Sequence, residues 1–201
     1  MLGLRIMRVY HFINAEFGLE DIIERRLKIS RIMELNDPFE FLGANLSDPN
    51  FRKAMKATKA TLSKSKGILC FSKNWNNPVQ WSHYSDKHKG LCLGFDVPDE
   101  LLVKVKYVDR RLSHDLVSSE TQMLKFLTTK FAHWQYEEEY RVFRPLEEEI
   151  DGRYYEVFSD NLILRQVIVG AQSSITRAQI SNALGDIESK VEVFKASVST
   201  T

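Results

Sequence analysis

At 201 residues, with 43% hydrophobic and 27% charged side chains, the chain has the make-up of one globular unit able to bury roughly 70% of its unfolded surface. Its 28 Lys and Arg nearly cancel its 27 Asp and Glu, so the whole-molecule field favours neither nucleic acid nor an anionic membrane. No run approaches the ~18 apolar residues of a membrane span, the start MLGLRIMRVYHF lacks a signal-peptide pattern, and Cys70 and Cys92 in apolar runs read as reduced thiols, so the expected location is cytoplasmic.

Residues 4–12 read as a first strand ending in Tyr10, His11 and Phe12. Asn14 is placed to cap a helix whose apolar positions Leu19, Ile22, Ile23 and Leu27 recur at three- and four-residue spacing, with Arg25 and Arg26 in its last turn. Asn36 to Glu40, NDPFE, is a turn signal, and Asp48 with Pro49 reads as the cap and first position of a basic helix through about Leu62. Residues 67–72, GILCFS, and 90–96 are apolar runs expected as central strands. Val103, Val105 and Tyr107 alternate with lysines as a half-exposed strand.

Met123, Leu124, Leu127, Phe131 and Trp134 mark an amphipathic helix. Strands follow over residues 140–143, 154–158, 162–169 and 191–196, and residues 147–152 read as a hairpin connection. Ser174 is the expected cap of a helix carrying Ile180, Ala183, Leu184 and Ile187, which Gly185 loosens at its end. Helices and strands mix without a regular β-α-β rhythm. The expected class is therefore α+β, one domain over 1–201 with a split, largely antiparallel sheet flanked by helices.

Two patches concentrate chemistry. Residues 80–96, QWSHYSDKHKGLCLGFD, bring Trp81, His83, Tyr84 and His88 into what reads as a loop on a strand. Residues 130–141, KFAHWQYEEEYR, add Lys130, Trp134, Glu137, Glu139 and Arg141. On a strand, Glu137, Glu139 and Arg141 share one face and Glu138 and Tyr140 the other. Carboxylates there accept sugar hydroxyls and a guanidinium holds phosphate or carboxylate. The competing reading is a solvated ion pair worth ~0–1 kcal/mol.

His11 is either a ligand-orienting imidazole or a hydrogen-bonded strand residue, and Ser72 either a positioning hydroxyl or a strand terminator. Zinc ligation by Cys70, His83, His88 and Cys92 is disfavoured because both cysteines sit inside apolar strands, so no metal is expected. A Cys70 nucleophile would need an exposed, electropositive thiol. No Gly-rich phosphate loop is present. The helix carrying Arg52, Lys53, Lys56, Lys59, Lys64 and Lys66 is either a phosphate-contacting face or a solvated one.

In order, Tyr10-His11-Phe12, the NDPFE turn, Cys70-Phe71-Ser72, Trp81 to Tyr84, His88-Lys89-Gly90, Gly94-Phe95-Asp96, Trp134, Tyr136-Glu137 and Glu139-Tyr140-Arg141 resemble the bacterial family called domain of unknown function 2971. That resemblance spans about residues 9–170, leaving a helix and strand at 173–197 beyond it, and implies no particular reaction. A second resemblance is to ADP-ribosyltransferases, built on a split antiparallel sheet with an early histidine, a middle serine and a late glutamate, as in His11, Ser72 and Glu137 to Glu139.

This second resemblance implies NAD or a related nucleotide as substrate, with no further cofactor, and a role in stress or phage defence. By it, His11 positions the nicotinamide ribose, Ser72 supports the pocket, and Glu139 binds the 2′-hydroxyl and stabilises an oxocarbenium-like transition state. Arg141 or Lys130 meets the pyrophosphate, and Tyr10, Trp81, Tyr84 and Trp134 form aromatic walls. The rival expectations are a non-catalytic sensor of a small ligand or protein partner using the same pocket, and a nucleic-acid partner for the basic helix.

Overall fold

The computed structural model describes residues 5–35, 49–110 and 120–197; the turn expected at 36–40 and the cap Asp48 lie outside them. The apolar runs of the sequence form the middle of one sheet. β4 (Leu91–Pro98), buried along nearly its whole length, pairs antiparallel with β1 (Ile6–Ile13) on one side and β10 (Ile163–Val169) on the other. β11 (Glu192–Lys195) extends this half parallel to β10.

Helices α1 (Ala15–Ile23) and α5 (Arg177–Leu184) cover one face, where Leu91, Leu93 and Phe95 meet Ile22, Ile180 and Leu184. The opposite face carries Cys92, Ile168 and Trp81, the last from α3 (Pro78–Tyr84). The class is α+β. No helix among the described residues is long and apolar enough to cross a membrane.

The other half of the sheet is organised by β3 (Lys66–Ser72). Along its whole length it pairs antiparallel with β8 (Glu139–Pro145), from Ser72↔Glu139 to Lys66↔Pro145. Its second edge is shared between two strands. β1 reaches it at a single pair, Tyr10↔Ser72, while β2 (Arg26–Arg31) takes Ile68 and Gly67 at the other end and is itself followed by β9 (Tyr154–Val157). Among the described residues, Leu69 to Phe71 have no strand partner on this edge. The sheet is split there.

Several elements depart from the periodicity of the sequence. Asn14 caps α1 through the amide of Phe17, but the helix stops at Ile23: Arg25 turns left-handed (φ 54°) and Leu27 lies in β2. The Arg25 guanidinium then serves the open helix ends, donating to the carbonyls of Ile22, Ala183 and Leu184. The supposed loop at residue 80 is α3, capped by Asn77 with Pro78 at its first turn.

The single helix expected over 123–134 is α4 (Glu120–Leu127) followed by β7 (Thr129–Phe131) and a tight 3-10 turn over Ala132–Glu137. The hydroxyls of Thr128 and Thr129 bond back to Leu124 O and Lys125 O, competing with continuation of the helix. The strand expected at 103–107 is two short ones about the buried Val105, β5 (Val103–Lys104) on β8 and β6 (Lys106–Val108) on β7. Thr176 caps α5 where Ser174 was expected, in a capping box with Gln179. The 147–152 connection closes in a tight hairpin turn, with Ile150 and Arg153 bridged antiparallel across Asp151 and Gly152, although β8 and β9 themselves pair with different strands. The basic helix is α2 (Pro49–Ser65).

One buried acid is left without compensation. Asp21 on α1 is 5% exposed, and its Oδ2 has no hydrogen-bond partner among the described residues. Burial, and then the charge of Glu20, raise its pKa from 3.8 to about 7 despite Arg26. The folded protein therefore holds this proton to a higher pH than the unfolded chain. The stabilisation is complete below the unfolded value and is lost as pH rises through about 7. Asp21→Asn is expected to raise the unfolding free energy by ~2–4 kcal/mol at about pH 8 and by little at about pH 3.5, measured by denaturant titration.

Candidate functional site

The split in the sheet opens into a cleft of about 490 Å³, within the roughly 300–1,000 Å³ range of small-molecule sites. β1 and the start of α1 line it with Tyr10 to Asn14 and Phe17, the end of β2 with Ser30, and β3 with Cys70, Phe71 and Ser72. β8 contributes Glu139 and Arg141, α3 contributes Gln80, His83 and Tyr84, and Lys130 and Glu137 complete the polar wall. His11, Ser72 and Glu139 thus converge from distant parts of the chain, together with Tyr10, His83, Tyr84, Lys130, Glu137 and Arg141.

Trp81, His88 and Trp134 do not line the cleft. α3 divides the aromatic patch: His83 and Tyr84 reach the cleft, whereas Trp81 is 3% exposed, packed with Cys92 and Ile168. Its Nε1 donates to Trp75 O at 2.6 Å, and His88 stacks on its ring. Trp134 lies behind the site, its ring centre 5.6 Å from Lys130 Nζ. The exposed Arg52, Lys53 and Lys56 of α2 also lie outside the cleft.

The polar wall is a chain of buried charges. Glu139 and Arg141, two apart on β8, face the same side and form a bidentate pair at 2.7 and 3.1 Å. They are 4% and 0% exposed, so the solvated-pair reading of these residues does not hold. A further Arg141 bond goes to Leu127 O at 2.6 Å. Lys130 Nζ stands 2.7 Å from both Glu139 Oε2 and Glu137 Oε2, and the Tyr84 hydroxyl donates to Glu137 Oε1. Backbone fixes the spacing: Glu138 turns left-handed (φ 44°), ending the 3-10 turn at Glu137 and starting β8 at Glu139.

Burial alone would raise the Glu139 carboxyl, but the charges and hydrogen bonds of Arg141 and Lys130 outweigh it and hold the pKa at about 2. Glu139 is ionised at any physiological pH. A carboxylate has about four acceptor positions. Arg141 takes two on Glu139 and Lys130 takes a third. Glu137 accepts only from Tyr84 and Lys130 among the described residues, leaving acceptor positions open.

Burial, then the Glu139 charge, push the Cys70 thiol well above its usual value, and burial does the same to Cys92. Neither thiol is primed as a nucleophile. His11 Nδ1 lies 2.9 Å from Cys70 O, so the ring bridges β1 to β3 where their ladder stops. Burial lowers its pKa and keeps the imidazole neutral, with Nδ1–H as donor and Nε2 left as an acceptor. Ser72 directs its hydroxyl to backbone, with Asn74 O and Glu137 O each at 2.8 Å. It fastens β3 to the turn that carries Glu137.

Sequence reasoning did not nominate Gln80. It is 2% exposed and lines the cleft; its amide donates to Glu137 O at 2.7 Å, while its Oε1 is buried with no partner among the described residues. An orphaned buried acceptor is costly unless something donates to it. Its only sequence signal was its place at the head of the 80–96 patch. Among the described residues no three His, Cys, Asp or Glu side chains cluster as a metal site.

Searches of protein-family models, curated proteins and solved structures find no match to this chain.

Glu139→Gln leaves the fully buried Arg141 without its counter-charge. Unfolding titration at neutral pH is expected to show a loss of ~3–5 kcal/mol. The low Glu139 pKa contributes stability above the unfolded value that is lost as pH falls through about 2, so the difference between wild type and variant is expected to shrink over that acid range.

Proposed function

We propose that the cleft is the active site of an ADP-ribosyltransferase-like enzyme that breaks the N-glycosidic bond of NAD or a related nucleotide. The observation that carries this reading is the convergence of a neutral imidazole from β1 and a fixed carboxylate pair from the 137–139 segment in one cleft. As nicotinamide leaves with the bonding electron pair, positive charge develops on the ribose, and preorganised carboxylates stabilise it. Glu139, held by Arg141 and Lys130, supplies fixed charge.

The contact with the ribose hydroxyl passes to Glu137, which has acceptor positions to spare. His11 Nε2 accepts a second hydroxyl, and Gln80 Oε1 takes a donor such as the carboxamide NH2. Phe12, Phe17 and Tyr10 supply ring surface. The acceptor, water or a substrate hydroxyl, bonds to the ribose carbon and gives its proton to Glu137.

The test is nicotinamide release from NAD by the purified chain. Glu137→Gln leaves Lys130 and Arg141 paired with Glu139, and the expected loss in kcat is ~10²-fold. An undiminished rate would remove Glu137 from the chemistry, and absence of turnover with any nucleotide would defeat the enzymatic reading. The pairing of Glu139 with Arg141 and Lys130 and the backbone bonds of Ser72 favour one alternative, a sensor that holds a nucleotide without consuming it. Thermal stabilisation by NAD that persists with no nicotinamide formed would select that alternative.

A further inference from the structure

The charges of the cleft are balanced among its own side chains. Among the described residues, the lysine and arginine that line it are Lys130 and Arg141, and each is committed to a carboxylate. Arg141 makes two bonds to Glu139, and Lys130 Nζ lies between Glu137 and Glu139 with the Trp134 ring 5.6 Å away. A phosphate that took either cation would strand Glu137 or Glu139, which are 5% and 4% exposed, and breaking a buried pair in this way is costly. The amino end of α1 reaches the cleft through Asn14 but is closed: the Asn14 side chain accepts the amide of Phe17, and Glu16 stands in the first turn. Glu34, also in the lining, adds a third carboxylate, met by Lys28 at 3.1 Å.

The cleft offers acceptors and aromatic rings instead. Glu137 keeps acceptor positions open, and Tyr10, Phe12 and Phe17 bring rings that attract a cation. Gln80 Nε2 points at two backbone carbonyls, Glu137 O at 2.7 Å and Tyr136 O at 3.4 Å, so the amide cannot turn over and its Oε1 is fixed as the acceptor.

We propose that the cleft recognises a cationic pyridinium riboside bearing a carboxamide, nicotinamide riboside, and that the phosphates of a dinucleotide stay outside it rather than meeting Arg141 or Lys130. The inference rests on the glycosyl-transfer reading and narrows its substrate. The pyridinium ring enters positively charged; when the bond from ribose carbon to ring nitrogen breaks, nicotinamide keeps the electron pair and leaves neutral. Water adds its oxygen to the ribose carbon, and the proton it loses, taken by Glu137 and passed to solvent, balances the charge. The nicotinic acid analogue carries a carboxylate where the carboxamide stands. It brings an anion against Gln80 Oε1 and Glu137 and has no N–H to donate.

The test compares nicotinamide riboside, NAD and nicotinic acid riboside as substrates of the purified chain, with inorganic pyrophosphate as a competing anion. Nicotinamide riboside is expected to be cleaved with a kcat/KM within about 10-fold of that for NAD, or above it, since the phosphates add little binding. Nicotinic acid riboside is expected to fall about 10²-fold or more below nicotinamide riboside. Pyrophosphate in excess should leave the rate unchanged. Cleavage of NAD without cleavage of nicotinamide riboside, competitive inhibition by pyrophosphate, or equal rates for the two ribosides would overturn the proposal and leave the glycosyl-transfer reading standing. A chain that cleaves none of the three overturns both.

Discussion

A buried guanidinium stripped of its counter-charge costs several kcal/mol, and the arrangement around Arg141 prevents this. Arg141 is fully buried on β8 and is satisfied by Glu139 on the same strand face and by the carbonyl of Leu127 at the end of α4. Glu139 in turn needs Lys130 of β7, and Lys130 draws in Glu137, which fixes Tyr84 of α3. Five separate segments are thus joined by mutual neutralisation. The same low-dielectric surroundings that make these bonds strong make the loss of any one of them expensive.

The cleft follows from strand pairing. β8 occupies one edge of β3 completely, so β1 and β2 must share the other, and each takes only an end of it. The unpaired stretch between them, with no other described strand on that edge, is where a site can form. His11 replaces the missing ladder bond through its ring, which sets the tautomer as a by-product of holding the sheet together. A residue with a structural duty at one nitrogen is thereby left with a defined chemical capacity at the other.

Much of the scaffold was legible in the sequence for a plain reason. Strands buried on both faces, such as β3 and β4, are written as unbroken apolar runs. The helix read through Leu27 and the one read through Trp134 failed because spacing alone does not detect a left-handed Arg25 or threonine hydroxyls that bond back to the preceding turn. The dense aromatic patch indicated the right region and, in His83 and Tyr84, half of its side chains. A helix distributes neighbours around its axis, so α3 places Tyr84 in the cleft and Trp81 in the packed layer behind it. Gln80 could not have been singled out, because an unmatched buried acceptor is a property of three-dimensional surroundings alone.

The central claim is that the nicotinamide ribose sits between His11 and the Glu137–Glu139 pair. Calorimetric titration with a non-cleavable NAD analogue, its ribose ring oxygen replaced by carbon, separates binding from chemistry. The account predicts saturable one-to-one binding to wild type, weakened about 10-fold in His11→Phe through loss of the hydrogen bond at Nε2. No binding to wild type, or equal affinity in the two proteins, would contradict it.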